Sequence, residues 1–588
     1  MEQRAAWTPF LLVAAAVWAY VLARAAFVPW INDEGFWLNE YAHRHVLPGW
    51  PSSSGGWLPA AIGVASHKLL GLSLFWSRIG SVLAFPLFAW AAFHLGARLQ
   101  HKTLRWATWL ALLTCPFLLD FFSLFGGHGP ATAFWALALL GALRYRDRGD
   151  TRALGMSLGG LLLASLSLGA YVIPHAIALL ALAAILIERW RAQDTSLPAR
   201  QAFLWLSIGL VPLVLFVWNA AQMHNPPFGD EDTGLVRTTL ASLSAVVLGN
   251  DRPFVLLLVV AILLGATLVV PLRAGARSPL ALLAALLWAD LLVRSAMRSL
   301  FGIDHPEDHQ VPHLVPLAIL LTAFAADDTP EKWGIARRIA IAFLFFLPLR
   351  TLYVANLDHT LRWPEQSVPT RFVERLYTMQ RGGDRPLSIG AGPGLALSIP
   401  HAAKLLGLPV NPPDTYGFPE GPHDVRIAAR TELREAAKGF VIADSAAGPG
   451  LYLLLPKPSL RTGIFARHVA EQGAPAAERF EILRADTLRR SGDVLVELKC
   501  GVDLSMGSPE VSLVVEVERD GEMLHRHTIG LSMLRDHWQG EELHLLVRLP
   551  HFPQATSRVV YFENNTREAA TFGPVEVKLH RILTHLPH

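Results

Sequence analysis

Asp33 and Glu34 are the residues of this 588-residue chain best placed to do chemistry. They lie in the string Ile31-Asn32-Asp33-Glu34-Gly35-Phe36-Trp37, directly after the first long apolar run. Charge kept beside lipid is costly, so two neighbouring carboxylates there ask for a reason. One reason is functional, because ionisable residues kept at that cost mark a working site by default. The other is structural: Asp33 as the N-cap of a helix continuing through Tyr41 and His43. A second group stands at Asp304-His305-Pro306-Glu307-Asp308-His309-Gln310-Val311-Pro312-His313. Mixed carboxylates and imidazoles suit a divalent metal ion, with Asp304, His305, Asp308 and His309 as its ligands. The same residues also fit a polar loop stiffened by Pro306 and Pro312, and their spacing fixes no ligand set.

Other motifs carry less. Gly390-Ala391-Gly392-Pro393-Gly394 follows an apolar strand pattern but has neither the phosphate-loop lysine nor dinucleotide spacing, and reads as a strand-to-helix turn. Asn564-Asn565-Thr566 matches a glycosylation acceptor triplet that arises readily by chance. Cys115 lies in an apolar run and Cys500 in a strand pattern, so no disulfide framework is expected. A net charge of +3 says little about partners, but the lack of a basic stripe interleaved with aromatics points away from nucleic acid.

The elements that must position these groups are mostly apolar. Hydrophobic residues make up 52% of the chain, and the mean hydropathy is +0.35. Crossing the hydrocarbon core takes roughly 20 apolar residues. Runs near that length lie at about 8–30, 79–98, 104–125, 130–146, 153–170, 172–188, 202–221, 253–272, 279–297, 312–326 and 335–354, predicting about eleven spans. Under that count the arginine- and lysine-rich connectors, such as Arg144 to Arg152 and Lys332 to Arg338, fall on one side, which is then cytoplasmic. The N-terminus shares that side. The Asp33 loop, the Asp304–His313 loop and the last third of the chain lie opposite. Trp57 to Leu74, with His67 and Lys68, reads as a helix along the outer membrane face.

The expected organisation is a membrane domain over 1–356, an extracytoplasmic α/β region over 357–475 and a β-sandwich over 476–588. Period-two alternation carries the sandwich reading. Val496, Leu498 and Cys500 oppose Glu497 and Lys499, and Asp520-Gly521 sits between two apolar strands as a hairpin turn.

Taken in order, these pieces resemble the GT-C membrane glycosyltransferases of the protein O-mannosyltransferase and aminoarabinose transferase type. They are the Asp33-Glu34-Gly35 pair after the first span, a surface helix around Ala60 to Leu70, Trp76-Ser77-Arg78 opening the next span and the Pro-rich late span from Val311 to Leu317. The resemblance covers roughly the first 350 residues. It implies a GT-C-like membrane domain that takes a sugar from a polyprenyl-phosphate carrier such as undecaprenyl phosphate. The sugar passes with inversion to an extracytoplasmic glycan, glycolipid or protein. It further implies Asp33 as base with Glu34 in support. Arg294, Arg298, Lys68 and Arg78 are then the cations for the departing phosphate, with Arg24 near the outer end of the first span. For each of these, snorkelling to the interface is the alternative. His128, Asp304, His305, His309 and His313 would line the site.

The sequence departs from the family at Ser54-Gly55-Gly56-Trp57-Leu58-Pro59. It departs again after the third span, where His128 or Asp120 would replace a second carboxylate. Two other readings are a ligase or polymerase using a lipid-pyrophosphate donor, and a transporter. The modest outer loops count against the first, and the lack of an internal repeat counts against the second. A composition rich in Arg, Ala and Leu, without disulfides, suits a bacterial inner membrane.

Overall fold

The computed structural model describes residues 2–37, 56–71, 73–191, 199–222, 234–270, 278–330, 334–457, 459–470, 479–484, 492–503, 511–531, 542–564 and 571–583. Tyr41, His43, the Ser54-Gly55 stretch and most of the glycosylation triplet lie outside these residues. The chain divides into two compact units: Met1–Phe27 with Val46–Leu357, and Val28–His45 with Asp358–His588. The short acidic segment therefore groups with the C-terminal third of the chain, although it lies between membrane-domain helices in sequence.

The first unit is helical. Among the described residues four helices are long and apolar enough to cross a membrane: Ala6–Phe27, Ile79–Gly96, Gly169–Arg191 and Pro279–Phe301. Two bent pairs, Lys102–Thr114 with Pro116–Ser123 and Val236–Leu248 with Pro253–Val269, raise the number to six. The expected count of about eleven is thus not confirmed among the described residues, although helices also form over most of the other apolar runs. His128–Arg148 ends in the charged residues Arg144, Arg146, Asp147 and Arg148, Thr151–Ser167 has only 17 residues, and Leu314–Asp327 has 14. The first bend falls at Cys115-Pro116, where proline can start a helix but cannot continue one.

Small residues set the tightest packing in this unit. A Cβ at Gly141 would meet the backbone of Ser157 and Ala153, and one at Gly160 would meet Phe134 and Ala138. Ser157 also donates to the Ala138 carbonyl at 2.9 Å. Close backbone approach of this kind replaces the hydrophobic drive that helices lose in lipid.

The second unit holds a four-stranded sheet ordered Ile389–Ala391, Val425–Ala429, Leu451–Pro456, Phe440–Ala446. Its first pair is parallel and the others are antiparallel. Helices Thr370–Arg381 and Ser398–Leu406 pack on it through Phe372, Leu376, Ile399 and Ala403. The remaining strands form two antiparallel sheets. One runs Glu542–Leu549, Val494–Asp503, Val575–Ile582, Thr462–Ala470; the other runs Arg479–Arg484, Ser557–Asn564, Val511–Arg519, Glu522–Gly530. Their facing side chains share one core that contains Val496, Leu498, Cys500, Leu513, Val515 and Val577. Thr462–Ala470 pairs with Val575–Ile582, so the sandwich starts ahead of the expected boundary at 476. The turn Asp520-Gly521 has φ of 51° and 85°, as a two-residue hairpin with both central residues left-handed requires.

The sandwich and the α/β layer are tied along the sheet's edge strand Glu542–Leu549. Asn411 donates to the Leu546 carbonyl at 2.9 Å and accepts from the Leu546 N–H at 3.0 Å, copying a strand neighbour. Beside it Arg548 holds Asp414 and Asp493, each at 2.7 Å. Burial alone would raise the Asp414 carboxyl. The hydrogen bond with His423, the Arg548 charge and the Gly417 N–H together hold it well below the usual carboxylate range. A depressed carboxyl stabilises the fold above its unfolded pKa and loses that contribution as the pH falls. The intact chain is therefore expected to lose stability in the C-terminal unit below about pH 4, the unfolded carboxyl value. Asp414→Asn should flatten that dependence. Denaturant titrations at pH 3 and pH 7 check it, and an equal pH slope in both proteins would refute it.

Candidate active site

In the second unit the acidic segment forms a six-residue helix, Asn32–Trp37. It starts one residue before Asp33, so Asp33 is not the N-cap. The cap position falls to Ile31, whose N–H donates to Glu34 Oε2 at 3.2 Å. A carboxylate reaching back from the third helical position in this way is half of a capping box. Glu34 is buried, with 1% of its surface exposed, whereas Asp33 is half-exposed. Glu34 is thus the structural carboxylate of the pair, and Asp33 the more exposed one. Asn32 N–H donates to Gln366 Oε1 at 3.0 Å, and Asn32 Oδ1 accepts from Leu397 N–H at 2.9 Å. His401 Nε2 donates to the Gly35 carbonyl at 2.8 Å.

In the first unit the predicted cations have different fates. Arg294 is buried and pairs through Nε with Asp290 Oδ2 at 2.8 Å, one helical turn away. His313 Nε2 lies 3.4 Å from the same oxygen. Expected in an open loop, His313 instead is fully buried among Trp135 and Tyr171 at the start of helix Leu314–Asp327. The reason is its position: it precedes an apolar helix, which carries it inward. Asp290, Arg294 and His313 therefore form one buried cluster. The i, i+4 spacing of Asp290 and Arg294 is a sequence signal that could have found its first pair.

Arg298 is partly exposed and paired with Asp304, and it also donates to the Gly302 carbonyl at 3.0 Å. Lys68 is exposed near the end of helix Trp57–Leu70. Arg78 is completely buried and donates to the Ala25 carbonyl at 3.2 Å. Arg24 pairs with Asp120, joining two residues that the sequence offered separately, one for phosphate and one as a second carboxylate.

The carboxylate–imidazole loop is partly assembled. Glu307, Asp308 and His309 bring one ligand atom each within 4.8 Å of one another. Glu307 thus takes the place expected for Asp304 and His305: Asp304 is bound by Arg298, and His305 is half-buried outside this group. His128 is half-buried, stacked on Phe121 at 4.4 Å, with its ring 6.2 Å from that of His309. Two carboxylates and an imidazole suit a divalent ion such as zinc or manganese.

No protein-family model matches the chain, and no curated protein matches it in sequence. Among solved structures it is similar to ArnT from Cupriavidus metallidurans in the apo state, with a TM-score of 0.45 and 12% identity over 77% of this chain and 98% of that one. The same protein bound to undecaprenyl phosphate gives a TM-score of 0.43 and 13% identity over 76% and 97%. The arabinosyltransferase EmbB from Mycobacterium smegmatis gives 0.38 and 12% over 98% of this chain and 64% of that one. Similarity at this level leaves the functional reading to the chain's own residues.

Proposed function

We propose that this chain is an inverting membrane glycosyltransferase that moves a sugar from a polyprenyl-phosphate carrier to a hydroxyl outside the cytoplasm. The supporting observation is the division of labour in the acidic segment: Glu34 caps the helix from a buried position, and Asp33 stands half-exposed on a turn anchored on both sides. In the reaction the acceptor oxygen attacks the anomeric carbon as its proton passes to Asp33. The bond from that carbon to the phosphate oxygen breaks, and polyprenyl phosphate leaves. Developing charge on the phosphate calls for fixed cations, and Arg294, Arg298, Lys68 and Arg78 remain the proposed set. Arg294 and Arg298 already hold carboxylates, so each would exchange or share that partner on binding donor. The membrane lipid bilayer holds the carrier, and a glycan, glycolipid or protein supplies the acceptor hydroxyl. Placement in a bacterial inner membrane, with the C-terminal unit on the periplasmic side, completes the reading.

The test is glycosyl transfer in nanodiscs with polyprenyl-phosphate sugars, reading release of polyprenyl phosphate. Release that depends on acceptor supports the reading. Absence of turnover with every such donor moves a lipid-pyrophosphate donor or a transport role ahead.

A divalent cation at this site would be held by Glu307, Asp308 and His309, adding positive charge for the phosphate. Chelation by EDTA and His309→Ala are expected to lower transfer to the same extent, about tenfold or more, with no further loss when combined. Turnover indifferent to EDTA removes the cation from the mechanism.

A further inference from the structure

We propose that His401, on the helix Ser398–Leu406 of the C-terminal unit, is a positioning residue that sets the geometry of Asp33; this rests on Asp33 being the base. A six-residue helix cannot hold itself together in water, since isolated helices below roughly 12–15 residues are marginal. The order of Asn32–Trp37 must therefore come from what it docks against. The docking contacts bracket Asp33. One residue before it, Asn32 is held through its N–H by Gln366 and through its side chain by Leu397 N–H. Two residues after it, the Gly35 carbonyl accepts from His401 Nε2. With the backbone fixed on both sides, the direction in which Asp33 leaves the helix is fixed too.

Burial and shape support the assignment. His401 is 1% exposed, and the Trp30 ring meets it edge-on at a centroid distance of 5.4 Å. Gly35 must lack a side chain for steric reasons: a Cβ there would overlap the His401 ring and lie 3.0 Å from Leu397 Cβ. Its φ is not among the left-handed values, so backbone freedom is not what selects glycine. The imidazole thus does two things at once: it donates one hydrogen bond and fills the space against which Gly35 rests. Placement errors of about 1 Å around a reacting group cost on the order of 10²-fold in rate.

The experiment separates donor from filler in the full-length protein in nanodiscs. His401→Gln keeps an N–H at similar reach, whereas His401→Phe keeps the ring and removes the donor. His401→Phe is expected to lower kcat about 100-fold with little change in the donor KM. It should also raise amide exchange in the peptide Ile31–Trp37 by about tenfold, as loss of local protection does. His401→Gln should stay within about threefold of wild type in both, because the donated bond that sets the geometry is kept. If Phe and Gln behave alike, or if exchange is unchanged in the Phe variant, His401 is core filler and the proposal is wrong. The exchange readout needs no catalysis. A shift there, with full turnover in Asp33→Asn, would sink the base assignment while leaving the docking intact.

Discussion

Asp33→Asn is expected to lower the rate of glycosyl transfer by about 10²–10⁴-fold, the range that a positioned general base supplies. The amide keeps the size of the side chain and one oxygen but cannot accept the acceptor's proton. Because the Ile31 N–H is capped by Glu34, the near-isosteric variant should keep that cap and fold as wild type does. Glu34→Gln is the informative partner. Its amide oxygen can still accept from the Ile31 N–H, so it should keep most of the activity, whereas Glu34→Ala should lose about 1 kcal/mol of local helix stability along with its cap. Transfer assays with circular dichroism on the same preparations decide the matter. Wild-type turnover in Asp33→Asn would end the mechanism.

Removing either member of the Arg24–Asp120 pair should cost about 3–5 kcal/mol, because it leaves the other charge buried and uncompensated. Both side chains are 1% exposed, and the guanidinium also reaches Ser123 Oγ at 3.4 Å and the Asn356 carbonyl at 2.8 Å. One arginine thus ties the first apolar helix to the helix after the Cys115-Pro116 bend and to the end of the membrane unit. Asp120→Ala and Arg24→Ala are each expected to unfold at clearly lower temperature in detergent. The double change Arg24→Met with Asp120→Leu should recover much of the loss, since well-packed apolar side chains can replace a buried ion pair. If Asp120→Ala melts with wild type, the pair contributes nothing and the network is incidental.

Some of this was legible in the amino acids and some was not, for physical reasons. The sandwich showed itself because period-two alternation is local: Val496, Leu498 and Cys500 point into the core as their spacing requires. The helices were equally visible as apolar runs, but which of them cross a membrane depends on length and end charges. The adjacent pair Asp33-Glu34 was visible, yet its division into a capping Glu34 and a half-exposed Asp33 was not. That partition depends on where the helix begins, and a shift of one residue moves the cap from Asp33 to Ile31. His401, Gln366 and Leu397 carried no local mark, because a single histidine or glutamine in an amphipathic helix or loop looks like any other. The strands Val425–Ala429 and Leu451–Pro456 were missed for a related reason. They are buried through most of their length, so alternation is lost.

The His401–Gly35 contact joins residues 366 positions apart. At synthesis rates of about 5–20 residues per second, the second partner is made roughly 20–70 s after the first. Through that interval the acidic turn exists without its support, and by the energetics of short helices it is unformed. On the proposed mechanism, a nascent or truncated product that ends before His401 carries Asp33 without the contact that orders its turn. On the same mechanism, a glycosyl carrier in the membrane would meet an ordered Asp33 only after His401 has been made and docked.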